Sequence, residues 1–131
     1  MVNDPVSDFI IRLKNAGAIK KASVSVPYSK IKHAIADKLL EVGFVASVEK
    51  RGKKAKKMLD VALKYDETGD HSIRGVKRVS KPGRRLYVNV SQIFPVKFGT
   101  GKRIISTPAG ILTGEEARTK NVGGEELFII W

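Results

Sequence analysis

The sequence predicts an α+β protein of two small lobes: an α/β N-terminal lobe over 1–66 and a mostly β C-terminal lobe over 67–131 with one short helix. Three observations predict it. Apolar residues at helical spacing occur twice in the first half, and a capping box marks one short helix near the end. Two-residue alternation recurs in both halves and dominates the second. The polar stretch Glu67-Thr68-Gly69-Asp70 lies between the halves and reads as the boundary. The 131 residues are 42% hydrophobic, enough for a packed core and against wholesale disorder.

Each element follows from local signals. Asp4-Pro5 reads as an N-cap with proline at the first helical position. Val6, Phe9, Ile10 and Leu13 then give a helix over about 5–16, with Gly17 after it. Residues 22–27 alternate as a short strand with Val24 and Val26 on one face. Ser29 caps a second helix over about 30–42, with the stripe Ile31, Ala34, Ile35, Leu39 and Val42 and a stop at Gly43. Residues 44–49 and 58–65 read as strands.

In the second half, 73–79 and 85–88 read as strands around Lys81-Pro82-Gly83-Arg84, a type II turn signal. Residues 91–96 read as a helical turn, and 104–107 as a strand entering the turn Pro108-Ala109-Gly110. Thr113 and Glu116 form a capping box for a helix over about 114–120. Gly123-Gly124 turns into 125–131, whose last five residues are all apolar and read as a strand covered on both faces.

Charge narrows the function. Lys plus Arg number 25 against 13 Asp plus Glu, a net charge of +12. Such a chain attracts polyanions. No acidic residue occurs from His71 to Gly114, where nine residues are Lys or Arg. The absence of cysteine removes disulfides, thiolate metal sites and cysteine nucleophiles, and two isolated histidines make no metal cluster. No cofactor and no small-molecule substrate are expected. No apolar run reaches the roughly 18 residues of a membrane span, and Met1-Val2-Asn3-Asp4 does not begin a signal peptide. The expected compartment is the cytoplasm, with no membrane partner.

Several groups of residues could carry chemistry. Gly99-Thr100-Gly101-Lys102-Arg103 fails as a phosphate loop, because Val96 and Arg103 stand where Gly and Ser or Thr are needed. Ser106 lacks the flanking glycines of a nucleophile elbow. No enzyme is expected. Six of the eight residues from Lys50 to Lys57 are basic, a solvated hairpin tip or a non-specific phosphate contact. Lys30 and Lys32 sit in the first turn of the second helix, against its dipole, and a phosphate there would relieve the mismatch. Arg84 and Arg85 offer phosphate forks, and Tyr87 can stack on an unpaired base, if their strand lies near Ser106, Thr107 and Gly110. The competing reading makes Tyr87 half-buried core. Charge alone leaves duplex DNA open as a target.

The motifs in order resemble the bacterial small-subunit ribosomal protein eight (S-eight) family over nearly the whole chain. They are Asp4-Pro5-Val6-Ser7-Asp8, Arg12-Leu13-Lys14-Asn15-Ala16, Ser29-Lys30-Ile31-Lys32, Glu41-Val42-Gly43-Phe44, Arg78 to Tyr87, Ile105 to Thr113, Glu116-Ala117-Arg118 and Gly123-Gly124-Glu125. The resemblance implies early, direct binding to an irregular helix in the central domain of small-subunit ribosomal RNA. It implies a role in assembling the subunit platform beside neighbouring ribosomal proteins. Bacterial members can also repress their own operon by binding a messenger RNA site that mimics the ribosomal one. The family's RNA contacts concentrate in a Ser-Thr-Ser-x-Gly loop, matched by Ser106, Thr107 and Gly110. Pro108 replaces the second serine and Ala109 takes an often basic position, so up to two hydrogen bonds are lost from a stiffer loop. Tyr87 and Glu125 match family positions near the same surface, with Glu125 expected to orient the loop.

Overall fold

The computed structural model describes residues 4–53, 56–94, 96 and 101–131. Contacts gather the chain into two compact units, Pro5–Arg74 and Gly75–Trp131, the second joined by Asp4. The Glu67–Asp70 turn lies inside the first unit, because Tyr65 and His71 pair across it.

In the first unit two helices pack on a three-stranded antiparallel sheet. Helix α1 spans Pro5–Ala18. It runs past the expected end because Gly17 is used for close packing: a side chain there would collide with the His71 ring. Its buried face is Val6, Phe9, Ile10, Leu13 and Ala16. Strand β1 (Ser23–Pro27) buries Val24 and Val26 as expected. Helix α2 (Lys30–Glu41) is capped by Ser29, whose hydroxyl accepts from the Lys32 amide. Ile31 is exposed and Val42 half-buried, so the stripe narrows to Ile35, Ala36 and Leu39. Lys38 is the helix's other buried residue, and its ammonium holds Glu41 at 2.9 Å in the last turn.

Strands β2 (Val45–Arg51) and β3 (Met58–Leu63) complete the sheet, in the order β1-β3-β2. β3 is central and buries Leu59, Val61 and Leu63 on one face. β2 continues through Lys50 and Arg51, two residues beyond its expected end, because Arg51 forms an ion pair with Asp60 of β3 at 2.7 Å. This guanidinium, with the Ser25 hydroxyl, holds the Asp60 carboxyl below its ordinary pKa.

The second unit is a twisted antiparallel sheet. β8 (Gly124–Ile130) runs down its middle, between β6 (Lys102–Thr107) on one side and β4 (Val76–Arg78) and β5 (Tyr87–Val88) on the other. β7 (Gly110–Thr113) lies beyond β6. Leu127, Phe128 and Ile130 are buried, as a strand covered on both faces requires. The expected strand over 73–79 contracts to β4, and Gly75 leaves the space into which the Trp131 ring packs.

The Lys81–Arg84 turn closes with bonds between both backbone pairs. Gly83 lacks a left-handed φ, so the turn is not type II. A 3-10 turn, Val90–Gln92, stands in place of the expected turn over 91–96. Helix α3 (Gly114–Lys120) carries the expected Thr113–Glu116 capping box. It packs Ala117 on Ile105, Leu112 and Ile93. Asp4, the residue before α1, also accepts from the Arg78 guanidinium with its two carboxylate oxygens, at 3.1 and 3.2 Å.

Candidate nucleic-acid interface

Strand register brings the C-terminal candidates together. Tyr87 of β5 stands opposite Glu125 of β8, and Glu125 stands opposite Ser106 of β6. Opposed residues project to the same face of a sheet. The result is a row, Tyr87–Glu125–Ser106, in which the outer two backbones lie about 10 Å apart across two strand spacings. Ile105 points the other way, into the cluster under α3.

Two glycines make this row. A side chain on Gly124 would sit 2.0 Å from the Ser106 carbonyl oxygen, and one on Gly123 would sit 2.3 Å from that of Val88. Their absence of side chains lets the start of β8 pass between β5 and β6. Residues 123 and 124 were legible as a turn; their role in closing the site was not, because it depends on strands remote in sequence.

Glu125 anchors the row. Its carboxylate accepts from the Ser80 hydroxyl and from Arg85, the latter at 3.0 Å. Ser80 is wholly buried, and its oxygen also accepts from the Leu86 amide. Glu125 therefore ties the Arg85–Tyr87 segment to the sheet while its backbone adjoins Ser106. Sequence reading passed over Ser80, although it stands inside the 78–87 motif.

The turn after Ser106 is tied by Thr107. The Thr107 hydroxyl donates to the Gly110 carbonyl at 2.8 Å and accepts from the Ala109 amide at 3.1 Å. Its one donor is thus spent and one acceptor lone pair remains. Pro108, Ala109 and Gly110 are exposed, and Gly110 takes a φ of 114°, open to glycine. The Ser106 hydroxyl has no hydrogen bond among the described residues. Tyr87 is 69% exposed, which removes its reading as core. Arg84 is exposed at the nearby hairpin and has no ion pair among the described residues.

Lys30 and Lys32 belong to the first unit. Lys30 is exposed, while the Lys32 ammonium donates to the Pro27 carbonyl at 3.2 Å. The basic run is not uniformly solvated: Lys50 and Lys57 place their ammonium groups 5.0 and 6.0 Å from the centre of the Tyr28 ring, in cation–π contact. Residues 54 and 55 of that run lie outside the described residues, as do Gly99 and Thr100 of the loop compared with a phosphate loop. Arg103 of that loop is a β6 residue whose guanidinium bonds Glu126 and the Phe94 carbonyl.

The sequence model of a family described as Ribosomal protein S8 matches residues 4–131. Proteins named small ribosomal subunit protein uS8 are similar over essentially the full length. That of Lactobacillus delbrueckii subsp. bulgaricus is 41% identical over 131 residues, covering 100% of this chain and 99% of its own. That of Bdellovibrio bacteriovorus is 41% identical over 128 residues, covering 98% and 99%. That of Corynebacterium jeikeium is 44% identical over 130 residues, covering 99% and 98%.

Proposed function

The chain belongs to the ribosomal protein S8 family, and from that premise we propose that it binds directly to an irregular helix in the central domain of small-subunit ribosomal RNA and helps assemble the platform. Membership makes it a structural constituent of the small ribosomal subunit, working in translation in the cytoplasm, and not an enzyme. The RNA contact, its residues and repression of its own operon through a mimicking messenger site are the proposal.

One observation carries it: an exposed Tyr87 and an unengaged Ser106 hydroxyl share a row held rigid by Glu125, Ser80 and Arg85. The ring offers a stacking face for an unpaired base, and the hydroxyl and the turn through Thr107 and Gly110 offer hydrogen bonds to ribose or a base edge. Arg84 supplies a phosphate fork and Lys30 and Lys32 add backbone attraction. A regular A-form helix hides its bases in a deep, narrow major groove, so the target needs bulged or unpaired residues.

Footprinting on small-subunit ribosomal RNA tests the reading: protection should centre on an irregular helix of the central domain, and protection spread evenly over duplex regions would reject it. In filter binding, Ser106→Ala should cost about 1–3 kcal/mol and relax discrimination between RNAs, whereas Lys53→Ala should weaken all RNAs slightly and alike. Competition between that helix and duplex DNA of equal length separates RNA recognition from general attraction to polyanions.

A further inference from the structure

Strand β1 is an edge strand, paired with β3 on one side. Across that pair the Leu63 amide donates to the Ala22 carbonyl. Bonded and non-bonded pairs alternate along an antiparallel ladder. Val24 and Val26 therefore turn their backbone groups toward β3, and Ser23 and Ser25 turn theirs outward. The outward groups of both serines have no hydrogen bond among the described residues, whereas the next carbonyl in that series, Pro27, is taken by Lys32.

Beside this edge runs a groove of about 500 Å³ between α1 and β1, with Ile11, Ala16 and Ile19 as its apolar wall. Ile19 is 67% exposed and Ile11 45%. The two edges of the sheet differ. β2 is blunted by a bulge between Val45 and Ser47 and by Glu49, Lys50 and Arg51, devices that keep edges from pairing. β1 contains no charged residue and no register shift, and only Pro27 closes its end.

We propose that β1 is a docking edge for an extended segment of a neighbouring small-subunit protein, which adds a fourth strand and lays alternate apolar side chains on Ile11 and Ile19. A polypeptide strand supplies donors and acceptors that repeat at about 7 Å, matching the spacing from Ser23 to Ser25. A nucleic-acid backbone offers phosphate acceptors for the outward amides, but no donors in register for the outward carbonyls and no apolar side chains for the wall. Asp8 and Arg12 line the same groove and pair with each other at 3.6 Å, which leaves Lys21 as the lining charge that favours a carboxylate on the segment.

The test uses small subunits assembled with the full chain. The Ser23 and Ser25 amides should exchange with deuterium about tenfold or more slowly in the subunit than in the free protein. A photoreactive group at position 19 should cross-link to another ribosomal protein. Ser25→Pro removes one outward amide and leaves the backbone bonds to β3 intact, while it also deletes the Ser25 hydroxyl that donates to Asp60; it should lower the cross-link yield severalfold and restore fast exchange at Ser23. Ile19→Glu, a surface change, should restore that exchange by a separate route. Filter binding of both variants to the RNA should be unchanged, which keeps this result distinct from the RNA reading. Exchange at the free rate in the subunit, or a cross-link to RNA or to a second copy of this chain, would overturn the proposal.

Discussion

Tyr87 separates recognition from stability. A ring that is 69% exposed contributes little to the folded state, and surface changes of this kind usually stay within about 0.5 kcal/mol. The same ring stacked on a base is worth about 1–3 kcal/mol. Tyr87→Ala should therefore leave the urea midpoint nearly unchanged and weaken RNA binding by that larger amount. A variant that loses stability and affinity together would return Tyr87 to the core. Glu125 acts through the segments on either side of it. Its carboxylate holds Ser80 and Arg85 while its backbone lies opposite Ser106, and the turn that follows is tied from within by Thr107.

Two elements depend on space that glycine leaves. At the start of β8, a methyl group on Gly124 would press on the Ser106 backbone. Gly124→Ala should destabilise the second unit by about 1–3 kcal/mol, the usual cost of overpacking, and should lower RNA affinity even where the protein remains folded. Denaturant titration read beside filter binding separates the two effects. In α1, Gly17 makes room for His71, whose buried Nε2 has no hydrogen-bond partner among the described residues. Burial, and then the positive charge of Lys20, hold this imidazole below its ordinary pKa. The folded state thus binds the proton less readily than the unfolded chain. Stability is full above the unfolded value of about 6.5 and is lost as pH falls through it toward the lower folded value. Thermal melts between neutral and mildly acidic pH should show that decline, and His71→Gln should flatten it; an unchanged slope would assign the pH dependence to other groups.

At the scale of the whole molecule, charge sets the range of attraction and geometry sets its target. The excess of +12 draws the chain to any polyanion. Part of the basic inventory is already committed: Arg51 to Asp60, Arg78 to Asp4, Arg85 to Glu125 and Arg103 to Glu126. Neutralising about six phosphates with the remaining cations gives a slope of log K against log salt of about −5. A slope of −1 or −2 would mean that the row around Ser106 works with almost no backbone contacts. Lys30 and Lys32 illustrate the same division, since one ammonium is exposed while the other leans on the chain's own carbonyl.

Features set by neighbours in the chain were readable from residues alone. The Ser29 cap, the Thr113–Glu116 box, the alternation in β3 and the sign of the surface all depend on side chains a few positions apart, so local chemistry suffices for them. The row that joins Tyr87, Glu125 and Ser106, the hidden Ser80 beneath it and the open edge of β1 depend on register between distant strands. A shift of one residue would send each of those side chains to the opposite face, and that choice is made only when the sheets assemble.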